Sequence, residues 1–335
     1  MTQSSAQSPP QRPTYILTVA ELGDLTGDSE QHLLDAFREH HTVKLGGGKV
    51  GIPSQLIRPF LTERGLDYGF RVIAHANLKG GVGKTTSATT LATRAAEYGF
   101  KTCILDMDSQ ASASLAFGVI AADDEPIFID IWQQADAMVM GSLREVQEGL
   151  SLLPSALENG LLDSSLASPT HQKNAVRGVC EVLRQNGFDL VIVDCPPSLG
   201  AAVISTICAA DLIIVPVGYD VFSQKGLELT LAEITTICET FGLATPTVRI
   251  LYTFFDRRVK QSLAVLDELA ADHGERLLPV PIRTTTQFAK AANARGTVFA
   301  DVGRNNSKED YDRCLRHLLD IDASLAAAGR EPRYD

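Results

Sequence analysis

Val72-Ile73-Ala74-His75-Ala76-Asn77-Leu78-Lys79-Gly80-Gly81-Val82-Gly83-Lys84-Thr85-Thr86 decides how the rest of the chain is read. It runs as a short apolar strand, a glycine loop and a helix start, the order a phosphate cradle requires. Gly80, Gly81 and Gly83 carry no Cβ, so the backbone can take strained φ/ψ values and turn successive N–H groups toward one anion. The positive end of the following helix adds to the same field. Lys84 reaches bridging and terminal phosphate oxygens, and the Thr85 hydroxyl is placed to ligate Mg²⁺. With Val82 and Thr86, these residues make the candidate phosphate site.

The general nucleotide-loop pattern asks for glycine at position 78, where this chain has Leu78. A narrower pattern fits. Lys79-Gly80-Gly81-Val82-Gly83-Lys84-Thr85-Thr86, with its extra lysine at the loop entrance, resembles the deviant phosphate loop of the ParA/MinD partition ATPases. The resemblance implies an α/β P-loop NTPase, with a doubly wound, mostly parallel sheet flanked by helices. It also implies ATP and Mg²⁺ as cofactors and an ATP-dependent homodimer in which Lys79 reaches the partner's nucleotide.

Two further acidic motifs follow in the family's order. Lys101–Leu105 reads as a strand delivering Asp106-Met107-Asp108-Ser109-Gln110 at its C-terminal end, where doubly wound sheets place ligands. The family has Pro-Gln after the second aspartate; here Ser109 replaces the proline. By resemblance Asp106 helps hold the metal's waters, and Asp108 positions or activates the attacking water. Phe188–Asp194 is an apolar strand ending in a carboxylate, followed by Cys195-Pro196-Pro197-Ser198. An acid at the tip of a strand buried on both faces is costly unless it serves a polar site. Asp194 therefore reads as the second metal-side aspartate, and Asp-x-Pro-Pro resembles the family's second switch. The resemblance gives Lys79, Lys84 and Asp108 catalytic roles, Thr85, Asp106 and Asp194 metal roles, and Pro281, Ile282 and Arg283 the wall of the adenine.

The chain has 335 residues and a formal charge of −11. That length holds one large domain and a smaller appendage. The acidity argues against nucleic acid coating the whole surface. No apolar run approaches the ~20 residues that cross a bilayer, and the N-terminus has no signal pattern, so the expected location is cytoplasmic without membrane attachment. The six cysteines never form a C-x-x-C pair, so they read as buried thiols in a reducing compartment, with weak support for an iron–sulfur cluster.

Residues 1–14 and 329–335 are expected to be tails. Residues 15–68 read as a small module: Thr18 caps a helix through Leu25, Ser29 caps a second through about His40, a hairpin flanks Gly46-Gly47-Gly48, and Pro53 opens a helix through Arg64. That is a winged-helix order, as in the larger plasmid partition ATPases. Asp28, Glu30, Asp35 and Glu39 on the second helix would be repelled by phosphates. Two roles stay open for the module, sequence-specific DNA binding and docking or dimer stabilisation.

Residues 70–328 form the expected ATPase domain. A helix runs from the phosphate loop to Tyr98, and Leu150–Leu153, Asp211–Val217, Arg249–Phe255 and Leu278–Ile282 supply further strands. Ile127–Met140 includes a surface helix, His171–Gln185 an amphipathic one, and Ser307–Ala327 the terminal one. Between Arg249 and Arg316 basic residues outnumber acids, which suits a sequence-independent phosphate-binding face doubled on dimerisation. Arg258, Arg283, Lys290 and Arg295 are its candidate contacts. The function implied is a slow, dimer- and partner-stimulated partition ATPase. It would associate with the nucleoid through non-specific DNA and answer to a ParB-like or adaptor protein while positioning a plasmid, chromosome or other cargo. The alternative is a MinD or flagellar-number type regulator acting on a membrane or protein partner.

Overall fold

A computed structural model describes residues 14–327, with only the backbone of residues 221–224. The expected tails lie outside the described residues, apart from Thr14. Seven strands form the main sheet: β4 (Arg71–His75), β5 (Thr102–Asp106), β6 (Arg144–Gln147), β7 (Leu150–Leu153), β8 (Leu190–Asp194), β9 (Leu212–Val217) and β10 (Thr247–Tyr252). Their order is β10-β9-β4-β8-β5-β7-β6, every pair parallel except β6 against β7. Helices cover both faces. β5 and β8 are therefore buried along their whole length and read as unbroken apolar runs rather than alternating ones.

Alternate residues feed two apolar layers. Ile73, Ile104, Ile192 and Ile214 join Leu91 of the Lys84–Glu97 helix and Tyr311 of the Asn306–Leu318 helix. Val72, Leu105, Val191 and Val193 join Val176 and Val179 of the Pro169–Gln185 helix on the other face. The register sets His75 and Asp106 level with Asp194 across β4, β8 and β5, so the phosphate loop and the two acidic motifs leave the sheet at one edge.

Several expectations are corrected. Leu278–Ile282 is not a strand; isolated bridges at Ile250–Leu277 and Phe255–Arg283 flank it, and the Leu278 and Ile282 N–H groups donate to the Ile250 and Tyr252 carbonyls without forming a ladder. The Ile127–Met140 segment is broken into short helical pieces, and Phe128 and Ile131 are fully buried. The terminal helix is two, Asn306–Leu318 and Ile321–Ala327, interrupted where Asp320 takes φ 52°. All six cysteines are buried and free, as expected.

Before the main sheet lies a three-stranded antiparallel sheet of β1 (Leu17–Thr18), β2 (Val43–Lys44) and β3 (Val50–Ile52), ordered β1-β3-β2. Thr18 caps the Val19–Thr26 helix in a capping box with Glu21, and Ser29 caps Glu30–Ala36, which stops short of His40. The Ser54–Thr62 helix follows. Leu22, Leu33, Ile57 and Leu61 share one continuous apolar cluster with Leu91 and Tyr98.

A buried ionic seam ties this segment to the phosphate-loop helix. Arg94, 3 % exposed, pairs with Glu97 at 2.9 Å, Asp312 at 2.6 Å and Glu21 at 3.7 Å, its guanidinium lying over Tyr98 and Phe299. Lys308 adds a 2.9 Å pair to Glu21. Burial alone would raise the Glu21 pKa, but Arg94 and Lys308 hold it at about 2, whereas burial pushes Glu97 up to about 7.

Candidate functional site

The phosphate loop is pinned from two neighbouring strands. Asn77 at its neck donates from Nδ2 to the Pro216 carbonyl at 2.7 Å, and its Oδ1 accepts from the Lys79 N–H at 2.8 Å. Thr253, just past β10, donates its hydroxyl to the Val82 carbonyl at 2.9 Å, with the Val217 carbonyl 3.1 Å away. Gly81 and Gly83 take φ 72° and 93°, values that L side chains rarely adopt, and so set the turn that leads into the Lys84–Glu97 helix.

Lys84 is buried, its ammonium donating to the carbonyls of Lys79 at 2.8 Å and Asn77 at 3.0 Å. Burial lowers its pKa, against the pull of Asp194. Asp106 accepts from Ser114 N–H at 2.8 Å and its hydroxyl at 2.7 Å, and burial still raises its pKa to about 6. Asp194 is fully buried, and neither carboxylate oxygen makes a hydrogen bond of ordinary geometry. Burial and then the charge of Asp106 push its pKa well above the carboxylate range; the Thr85 hydroxyl and the Lys84 ammonium favour its charged form. Asp108 is half-buried, accepting from the Gln110 N–H at 3.0 Å. Lys79, also half-buried, ion-pairs with Asp220.

Not every candidate gathers here. Ile282 is core, 2 % exposed, and Pro281 is half-buried beside it. The Arg283 guanidinium pairs with Asp310 at 2.6 Å and Glu309 at 3.4 Å. None of the three lines the cavity of about 340 Å³ beside Thr85 and Thr86, which is walled by Thr89, Thr90, Ser112 and Phe288. Lys290 and Arg295 are exposed, on the Gln287–Asn293 helix and the turn after it. Arg258 pairs with Asp256 at 2.7 Å, although its side chain is 83 % exposed.

Sequence reasoning gave no individual role to Asn77, Thr253, Phe254 or Asp220, although Asp220 lies in the Pro216–Gly226 stretch that resembles the family's loop leading into a helix at the dimer face. Phe254 has φ 57° and is 42 % exposed, its ring 4.0 Å from where a Cβ on Gly83 would sit. The available signal was position: Thr253 and Phe254 leave the C-terminal end of a parallel strand, as the acidic motifs do. A residue of the loop strand was passed over too. His75 is wholly buried with neither ring nitrogen partnered, and burial lowers its pKa to about 3.

Known proteins resemble this chain in sequence and in fold. The AAA domain family model matches residues 70–246, more than half of the chain. Chromosome partitioning protein ParA of Caulobacter vibrioides is 27% identical over 222 residues, 66% of this chain and 83% of that protein. The chain belongs to the AAA domain family, as a ParA/MinD-type partition ATPase. Cell division protein PomZ of Myxococcus xanthus is 27% identical to this partition ATPase over 262 residues, 78% of this chain and 82% of PomZ. Among solved structures, cobyrinic acid a,c-diamide synthase of Mycobacterium smegmatis, with a bound ATP analogue and magnesium, superposes with a TM-score of 0.62 at 26% identity. That match covers 74% of the partition ATPase and 95% of the synthase chain. The chain is a partition or positioning ATPase.

Proposed function

We propose that the chain binds ATP with Mg²⁺, dimerises around two nucleotides, and in that state holds non-specific DNA while it partitions or positions a cargo. The observation that carries this reading is Asp194, a fully buried carboxylate whose oxygens make no hydrogen bond of ordinary geometry among the described residues, level with Asp106 in the sheet and under the influence of the Thr85 hydroxyl and the Lys84 ammonium. Such a group costs several kcal/mol unless a cation or its water shell satisfies it.

Thr85 would hold Mg²⁺ directly, with Asp106 and Asp194 acting through its waters; a hydrated ion of this kind needs no all-protein cage. Bound there, the ion neutralises phosphate charge and orients the phosphate oxygens. The chain's own groups do the rest. Amides of the Gly80–Thr86 loop face the phosphates, and Lys84 exchanges the loop carbonyls for phosphate oxygens. Asp108 orients the attacking water from its half-exposed position. Lys79, supplied by the other protomer, makes hydrolysis conditional on assembly.

Asp108→Ala is expected to dimerise with ATP as the wild type does, with hydrolysis lowered about a hundredfold. Phosphate release and sedimentation measured together check both halves; normal turnover removes Asp108 from the role.

For DNA the supporting residues are the exposed Lys290 and Arg295, since the Arg283 charge is met by Asp310 and Glu309 and the Arg258 charge by Asp256. ATP should confer retention on arbitrary duplex DNA. The doubly substituted Lys290→Ala/Arg295→Ala protein should lose about two units of the salt slope per protomer, with its ATPase intact. An unchanged slope moves the DNA face elsewhere. A ParB-like or adaptor protein and a nucleoid location complete the proposal. Within it, residues 15–68 are a module docked on the ATPase domain 70–328, a role supported by the Arg94 seam.

A further inference from the structure

We infer that Asp220 is a positioning residue for Lys79: its carboxylate holds the loop-entrance ammonium within one protomer, and pairing of two copies requires that contact to be given up. The inference rests on the proposal that Lys79 crosses to the other protomer's phosphates.

Lys79 and Asp220 lie 141 residues apart and meet because β4 and β9 are neighbours in the sheet. The backbone around the pair is fixed on both sides. Asn77 ties the Lys79 N–H to the Pro216 carbonyl, four residues before Asp220. Gly226, six residues after it, packs so closely that an added Cβ would lie 3.4 Å from both Asn77 Oδ1 and Lys79 Cβ. The charged ends are less confined, with side chains 28% and 47% exposed. The scaffold is rigid and the contact is exchangeable.

An exposed ion pair of this kind biases an equilibrium by roughly fivefold. A symmetric dimer gives up two, so the pairs oppose dimerisation by roughly 25-fold. A triphosphate, with more negative charge than a diphosphate, competes better with one carboxylate for the ammonium. The contact therefore sharpens the response to ATP over ADP without touching the reacting atoms.

The test is sedimentation equilibrium of the full chain, with Mg²⁺ and either ATP or ADP, for wild type, Asp220→Asn and Asp220→Glu. ATP affinity of each monomer is measured at low protein concentration. Asp220→Asn is expected to tighten the ATP dimer by roughly 25-fold and to show measurable dimer with ADP, with monomer affinity unchanged. Asp220→Glu, which keeps the charge, should stay near wild type. A dimer constant for Asp220→Asn equal to or weaker than wild type overturns the inference while leaving the dimer proposal standing. A wild type that binds ATP but never dimerises overturns both. If Asp220→Asn fails to fold, Asp220→Ser takes its place: a tighter ATP dimer supports the inference, and an equal or weaker one overturns it.

Discussion

Lys84→Ala should lower ATP affinity by two to three orders of magnitude while costing the ligand-free protein little stability. The ammonium is buried and its pKa is lowered by that burial, so it sits at an electrostatic cost that two main-chain carbonyls only partly offset. Charge-assisted hydrogen bonds to phosphate are worth about 1.5–3 kcal/mol each, and two of them account for the loss. Titration calorimetry with ATP and Mg²⁺ gives the affinity, and thermal unfolding gives the stability. An affinity within threefold of wild type would mean that Lys84 does not meet the phosphates.

The second large effect is on stability. Arg94→Met should cost about 4 kcal/mol, read as a fall of roughly 5–10 °C in the thermal midpoint. The substitution keeps the stem's volume but leaves Glu21, Glu97 and Asp312 facing one another without their shared cation. The pH dependence should change in a definite direction. In the wild type, Glu21 has a depressed pKa of about 2, so its stabilisation is present above its ordinary value and is lost as pH falls through that value toward 2. Glu97, raised to about 7, contributes oppositely: its stabilisation is present below its ordinary value and is lost as pH rises through 7. Without Arg94 the acid-side loss should shrink and the loss toward neutral pH should grow. A variant within 1 kcal/mol of wild type would show that the seam is not what fixes residues 15–68 to the phosphate-loop helix.

What was legible in the sequence was local or periodic. The loop glycines, the caps at Thr18 and Ser29, and the buried runs of β5 and β8 state their conformations in their own residues. The carboxylates Asp106, Asp108 and Asp194 declared themselves by standing at the ends of such runs. What escaped depended on contacts far along the chain. β1 is two residues that become a strand only by pairing with β3, and β6 is a half-exposed edge paired antiparallel to β7. Leu278–Ile282 has a strand's composition, but it meets β10 through scattered main-chain hydrogen bonds at Ile250 and Tyr252 rather than through a ladder. Arg283 read as a free cation until the fold set Asp310 against it, 27 residues later. Thr253 and Asp220 gain meaning only once β9 lies beside the loop strand, with β10 next beyond it.

The most direct measurement is sedimentation of the wild-type chain with Mg²⁺ and radiolabelled nucleotide, alongside Lys79→Ala. The expected result is a dimer retaining one ATP per chain, a monomer with ADP, and a Lys79→Ala protein that binds ATP yet stays monomeric. A wild-type chain that sediments as a monomer and retains no ATP at millimolar concentration would contradict it.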